Sequence, residues 1–353
     1  MAVQARISSP DDRDGITELM HRAFGPDISS TAIDPGFQRW KYWDAHPFAA
    51  TGRSLVLDGR ERIVGHACRW PMRIVTPAGA LDAFHLIDWA ADSSHAGAGL
   101  QVLLDSCEDS AALFSIGGSA VTRRMLPALG QHLRRRPNPA EQLAYQVAGK
   151  VYFLSRPLQA VSAALRESPL DWKTPARIAR NALYAGSAGA KLPEGVSFEA
   201  ISPTDIPPGL WPQPDSNFAV SARSPELLQH FASCPVLQRP MCFILSRNGN
   251  PIAYFFLVLA GAQVRLADYG PAGLEPQAAG MLGTAAQIAA KRHYSEALRI
   301  AAATSEPDIQ AGLIDAGFRN SYEEEIRGLI ANPALIPVKQ YRLTYLDLDA
   351  LCL

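Results

Sequence analysis

Apolar and polar positions along the chain repeat with two periods, one helical and one extended. Ile16, Leu19, Met20 and Ala23 recur at helical spacing. Ser9, Pro10 and Asp12 stand ahead of them, suited to the N-cap, the first position and the third position of a helix whose positive dipole end favours an acidic residue. Residues 54–57 and 62–67 then read as two strands around Asp58-Gly59, and residues 242–247 and 252–255 as two more around Asn248-Gly249. Asp-Gly and Asn-Gly supply the positive φ that hairpin turns need. The most apolar run, 252–262, is too short to span a bilayer and predicts a buried strand. Residues 83–90 predict a strand, 95–99 a turn with Gly97 and Gly99, and 100–113 a helix presenting Leu100, Leu103, Leu104 and Cys107 on one face. Alternation along that strand puts His85, Ile87 and Trp89 on one side and Leu86 and Asp88 on the other.

These elements occur twice. Ser202-Pro203 repeats Ser9-Pro10, the second hairpin repeats the first, and a helix ending at Gly317 repeats one ending at Gly130. From Ser9 to Gly59 to Gly130 the steps are 50 and 71 residues; from Ser202 to Gly249 to Gly317 they are 47 and 68. Three ordered anchors with nearly equal gaps predict a tandem duplication. The expected organisation is a first domain over 1–150, a helical and flexible linker over 151–195 with a Gly/Ala-rich run at 185–190, and a second domain over 196–353. Each domain is expected to be mixed α/β, with a mostly antiparallel sheet flanked by helices.

Composition narrows the function classes. The 353 residues are 48% hydrophobic and 19% charged, with a net charge of −1. Near-zero charge argues against a nucleic-acid or anionic-membrane binder working through bulk electrostatics. Five cysteines with no Cys-x-x-Cys pair exclude a zinc ribbon and make a disulfide framework unexpected, which points to a reducing cytoplasm. The first residues predict neither an amphipathic nor an apolar leader, and no membrane span is expected. The histidines show no metal-ligand spacing, so no metal is expected. Gly117-Gly118-Ser119 reads as a strand-to-helix cap, since no Gly-x-Ser-x-Gly elbow exists. Arg123-Arg124 and Arg134-Arg135-Arg136 form a basic cluster that is either a solvated face or a contact to an anionic ligand.

Three stretches, taken together, resemble the GCN5-related N-acetyltransferase (GNAT) superfamily, especially its tandem-domain members found with bacterial polysaccharide biosynthesis. They are Arg39-Trp40-Lys41-Tyr42-Trp43 with His46-Pro47, the Asp-Gly hairpin ending in Ile63-Val64-Gly65-His66, and residues 88–104 with their Gly97-x-Gly99 loop. The resemblance covers residues 4–145 well and 196–353 in outline. It implies an acyl-CoA-dependent N-acyltransferase, with acetyl-CoA or another acyl-CoA as donor and a small-molecule amine or sugar as acceptor. It implies that Ala96, Gly97, Ala98, Gly99 and Leu100 offer backbone amides to the pyrophosphate, and that the strand edge at Trp89 and Ala90 pairs with the pantetheine arm. His85 is the implied general base and Asp88 the second candidate. Ala96, or Ser94 in the alternative register, stands where the family's loop carries an arginine, and Leu126 and Leu313 where many members carry an acid tyrosine. The second copy has Gly270-Pro271-Ala272-Gly273 in place of the loop, and is expected to be degenerate and to wall the acceptor cleft. Trp40, Tyr42 and Trp43 either pack the core or line that cleft. Two other readings stay open: an aminoacyl-tRNA-dependent transferase of the FemABX kind, and a catalytically inactive protein that binds a ligand or partner. The sequence does not specify an oligomeric state.

Overall fold

The computed structural model describes residues 5–25, 28–49, 52–107, 112–116, 143–155, 190–216, 218–330 and 340–348. The first half runs β1 (Arg6–Ile7), α1 (Arg13–Phe24), α2 (Pro35–Tyr42), β2 (Ser54–Asp58), β3 (Ile63–Thr76), β4 (Gly79–Ala91), α3 (Ala98–Ser106), β5 (Ala112–Ile116) and β6 (Leu143–Ser155). The second runs β7 (Val196–Ile201), β8 (Phe218–Ser221), α4 (Pro225–Ala232), β9 (Leu237–Arg247), β10 (Asn250–Ala260), β11 (Gln263–Gly270), α5 (Pro276–His293), β12 (Arg299–Thr304), α6 (Pro307–Asp315), β13 (Arg319–Ile330) and β14 (Gln340–Tyr341). The repeat is plain in this order, with both hairpins at their Asp-Gly and Asn-Gly turns. The basic cluster at 123–136, Gly117–Ser119, Leu126, Gly130 and residues 185–189 of the Gly/Ala run lie outside the described residues.

One sheet carries both halves, in the order β1-β2-β3-β4-β5-β13-β6-β12-β11-β10-β9-β7. Read from either end, the plan is the same: five strands of one half, then the sixth strand of the other. β13 adds to β5, β6 adds to β12, and the two exchanged strands pair antiparallel from Arg319↔Phe153 to Ile330↔Leu143. β6 runs without a break across residue 151, where the sequence alone places a change of domain.

Within each half, two neighbouring strands on the main path of the sheet run parallel and separate early. β4 and β5 pair at Phe84↔Leu113 and His85↔Phe114, after which β4 continues alone on that side to Ala91. β11 and β12 pair from Gln263↔Arg299 to Leu266↔Ala302 and then diverge. Each half therefore contains a V-shaped opening, and a register shift sits beside each one.

Helices cover both faces. Val102 and Leu103 of α3 pack on Leu57, Phe84 and Leu86, while Ile16, Leu19 and Met20 of α1 pack on Val56, Ile87 and Ala90 on the other face. The buried side of α3 is Ala98, Val102, Leu103 and Ser106, and Leu100 is 42% exposed. This differs from the helix expected over 100–113. The helix begins two residues earlier and stops at Ser106, and Leu113 belongs to β5. A third apolar group joins the halves, bringing Phe37 and Trp40 of α2 and Ile74 of β3 against Leu227 and Phe231 of α4, Phe256 and Leu346.

The alanine-rich α5 packs as its composition predicts, with Ala279, Ala285, Ala286 and Ala289 buried. It meets α6 backbone to backbone: a Cβ at Gly312 would overlap the main chain of Ala279 and Gly280. Overpacking of this kind costs about 1–3 kcal/mol. Gly312→Ala is therefore expected to lower the urea midpoint without changing the denaturant slope, and an unchanged midpoint would show that the helices separate freely.

Candidate active site

The opening between β4 and β5 is flanked on one side by the N-terminus of α3. Asp92, at the end of β4, organises the approach. Its carboxylate accepts from Ser94 N at 3.0 Å and Ser94 Oγ at 2.6 Å, and pairs with Arg62 at 2.9 Å and Arg22 at 3.3 Å. The Ser94 bonds, reinforced by the two arginines, hold the carboxyl down to about 2. Gly97 follows in the left-handed region at φ 85°, a conformation that suits glycine, and caps α3. The amide of Ala98 is engaged by His95 O, whereas those of Gly99 and Leu100 find no backbone acceptor among the described residues. Trp89 Nε1 donates to Gly99 O at 2.9 Å and ties the strand to the first helical turn. An open groove of about 890 Å³ lies beside the loop, lined by Gly59, Arg60, Arg62, His95, Gly97 and Gln101 among others. The hairpin thus brings two guanidinium groups to the loop whose own arginine position holds Ala96.

On the other side of the sheet β4 is bulged. His66↔Ala90 and Cys68↔Ile87 leave two residues of β4 opposite one of β3, and Asp88 takes φ 50°. The extra residue breaks the expected alternation. Asp88 joins His85 and Ile87 on the α1/α2 face, and Trp89 moves to the α3 face. The sequence places both the other way, because nothing local in residues 83–90 marks the bulge. The ordered polar groups around it explain its shape. The Asp88 carboxylate accepts from Lys41 Nζ and from Tyr42 OH, both at 2.8 Å. Its carbonyl oxygen accepts from His66 Nδ1 at 3.0 Å. A carbonyl has no proton to give, so Nδ1 carries it, and Nε2 accepts from Ser54 Oγ at 2.9 Å. Burial on its own would push the Asp88 carboxyl up, but the ammonium of Lys41 outweighs it and holds the carboxyl below its usual range. Burial pushes His66 down to about 4 despite the neighbouring Asp88, which keeps it neutral.

His85 stands where β4 and β5 part, 2% exposed. Burial, and then the charge of Lys41, push it down to about 4. It lines a narrow cavity between the halves with Phe37, Trp40, Lys41, Trp70 and Phe231, roofed by residues 346–348. His85 and Asp88 are thus brought to one side of the opening, with Lys41 bearing on both, while Ala96–Leu100 lie on the other. Lys41 is the residue that sequence reasoning missed. Its signal was a lysine inside the aromatic run Phe37, Trp40, Tyr42, where a solvated side chain has no room. Trp40 lines the cavity, Tyr42 holds Asp88, and Trp43 donates to Ser8 Oγ at 2.9 Å.

The second opening is filled by the chain's own C-terminal segment, residues 340–348. Arg342 lies over the Tyr269 ring at 4.4 Å, donates to Tyr269 O and pairs with Glu306 at 2.6 Å. Glu306 also accepts from Gly273 N at 2.8 Å, so an amide of the loop equivalent is already taken by a carboxylate of this chain. Asp268 is enclosed by Arg223 at 3.1 Å, Tyr254 OH at 2.6 Å and Thr344 Oγ1 at 2.9 Å. Leu313, at the acid-tyrosine position, is 1% exposed and packs in the core. Among the described residues there is no metal-ligand cluster, no helix long and apolar enough to cross a membrane, and no disulfide between cysteines. Cys352 lies outside those residues.

No family model matches the sequence, and no curated protein matches it either. Solved structures do. A conserved protein of unknown function from Enterococcus faecalis V583, described as a probable N-acyltransferase, superposes with a TM-score of 0.54 at 9% identity, over 94% of this chain and 74% of that one. A GCN5-related N-acetyltransferase from Anabaena variabilis gives 0.51 at 10% identity, over 93% and 73%. A tandem GNAT protein from the clavulanic acid biosynthesis pathway gives 0.53 at 13% identity, over 94% and 99%. The likeness shows the fold: the chain is a tandem pair of GNAT-like domains.

Proposed function

We propose that the first half transfers an acyl group from an acyl-CoA, acetyl-CoA in the simplest case, to an amine of a small molecule or a sugar held between the halves. The observation that carries this reading is the two-sided opening at His85, with helix N-terminal amides on one face of the sheet and an aromatic cavity on the other. The donor fits the first side. Amides of Ala96, Gly97, Gly99 and Leu100 would meet the pyrophosphate, Arg60 and Arg62 would supply the charge that Ala96 lacks, and the free edge of β4 at Trp89 and Ala90 would receive the pantetheine arm. The cavity walled by Phe37, Trp40, Trp70 and Phe231 holds about 20 Å³, so the halves would have to part there to seat the apolar face of a sugar or an aromatic amine. The thioester supplies the acyl group. As the amine nitrogen forms its bond to the carbonyl carbon and the C–S bond breaks, His85 takes the ammonium proton directly or through one water, and solvent protonates the thiolate. Asp88, already paired with Lys41, acts as a positioning residue that fixes the bulge. This reading puts the protein in the cytoplasm.

Calorimetry with acetyl-CoA tests the reading. The wild type is expected to bind, Gly97→Val to abolish binding, and His85→Gln to bind but turn over at least about 100-fold more slowly. Wild-type protein that does not bind any acyl-CoA sinks the proposal; unchanged binding by Gly97→Val removes the loop, and unchanged turnover by His85→Gln removes the base. One observation favours binding without catalysis: a histidine near 4 is a weak base. Binding with no turnover on any amine would establish that reading.

A further inference from the structure

We propose that Arg53, His46 and His230 bind a carboxylate group at the junction of the two halves. Three of the six buried side-chain atoms that lack a hydrogen-bond partner among the described residues fall in this one cluster: Arg53 Nε, His46 Nε2 and His230 Nε2. Arg53 is 4% exposed and His46 5%. The rings of His46 and His230 lie 4.6 Å apart, His46 lies 5.0 Å from Trp70, and Arg53 sits 5.5 Å from the Trp70 ring. His230 stacks on Trp40 at 4.8 Å and, with Phe48, is the partly exposed side of the cluster.

Two of the orphan atoms, His46 Nε2 and Arg53 Nε, are donors. His46 Nδ1 accepts from Phe48 N at 3.1 Å, so the proton of the neutral ring is on Nε2 and points at no acceptor. Arg53 Nη2 is spent on Trp40 O and Asp44 O, at 2.8 and 2.5 Å, which leaves Nε–H. No carboxylate lies within 4.0 Å of Arg53 among the described residues; Asp44, the nearest acidic neighbour, turns its side chain to Arg39 at 3.3 Å. A buried guanidinium with no ion pair and unmet donors beside it is costly unless a ligand completes it. The same cluster disfavours a metal cation, because Arg53 is one of its three members.

Charge selects the ligand. Both histidines are neutral, pushed down to about 2 and about 4 by burial and by charged neighbours. One guanidinium therefore balances a monoanion, and a dianionic phosphate would leave a second charge among tryptophan and phenylalanine rings. Arg53 Nε–H and His46 Nε2–H are two donors for which a carboxylate would supply two acceptor oxygens, and the surrounding rings favour one carried on an apolar or aromatic group. Because His46 and Arg53 come from the first half and His230 from α4 of the second, the ligand would bridge them. The inference does not depend on acyl transfer.

The test is a titration of the full chain with sodium benzoate, sodium acetate and sodium phosphate at matched ionic strength. It is followed by melting temperature and by the imidazole ¹⁵N resonances of His46 and His230. Benzoate, and acetate more weakly, are expected to raise the midpoint above the chloride control and to move both Nε2 signals. Arg53→Gln and His230→Phe should each weaken Kd about tenfold or more, the loss of one charge-assisted bond. His230→Phe keeps a ring on Trp40, so it carries the test if Arg53→Gln does not fold. No response beyond chloride, a preference for phosphate, or an unchanged Kd in the folded variants would each overturn the proposal.

Discussion

Stability is expected to fall steeply as pH drops from 6.5 towards 4. His66 and His85 are fully enclosed and stay neutral in the folded chain down to about 4, whereas unfolding returns them to an ordinary value near 6.5. Across that window the unfolded chain binds more protons than the folded one, so stability rises with pH and is lost as pH falls. At about 1.4 kcal/mol per unit, each of these histidines removes roughly 3 kcal/mol by pH 4. Two of them together match much of the 5–15 kcal/mol that keeps a typical domain folded. His46 and His230 are shifted the same way and add to the loss. Urea unfolding at pH 7, 6 and 5 reads the effect directly, and His85→Gln should reduce the slope of stability against pH by about one proton. A flat profile between pH 7 and 5 would mean that these rings are solvated.

Removing the ammonium of Lys41 is expected to have the largest effect on the candidate site. Lys41 is 3% exposed and its partner Asp88 11% exposed, so Lys41→Met leaves a carboxylate in an apolar setting with Tyr42 as its remaining close side-chain donor among the described residues. Breaking a buried pair from one side costs about 3–5 kcal/mol. Asp88→Asn should cost less, because the amide still accepts from Tyr42. The double variant Lys41→Met/Asp88→Asn should recover much of the loss, a coupling that a double-mutant cycle measures. Acyl transfer should drop at least about 100-fold in Lys41→Met and stay low in the double variant, since the bulge loses its anchor. Recovery of activity along with stability would reduce the pair to a structural element.

What could be read in advance followed from local rules. Both hairpins, a buried strand over most of 252–262, the packing role of the alanine-rich helix and the repetition of one copy by the other came from turn chemistry, periodicity and spacing. The loop at Gly97 came from two glycines after a strand. The rest depends on contacts far apart in sequence. The bulge at Asp88 is held by Lys41, Tyr42 and His66, none of which is local to it. The helix after Gly97 shifted its buried face because Val102 packs against Gly65, where a Cβ has no room. The filling of the second opening rests on Arg342, which lies 73 residues beyond Tyr269 in the chain. A pattern of hydrophobic and polar residues specifies which face an element buries, not which distant charge completes a site.

The exchange of β6 and β13 sets a timetable for synthesis. β5 ends at Ile116, and the strand that covers its outer edge begins its pairing there at Ile326. The intervening 210 positions take roughly 10–40 s to translate at 5–20 residues per second. For that interval the first half has every strand but its outermost neighbour, and its open edge is a template for other chains. A ribosome that stalls between the halves therefore releases a half-sheet whose unpaired β5 and β6 can be met by those of a second nascent chain. Rapid, uninterrupted elongation, or a chaperone that covers β5 until β13 emerges, becomes a condition for making this protein in soluble form.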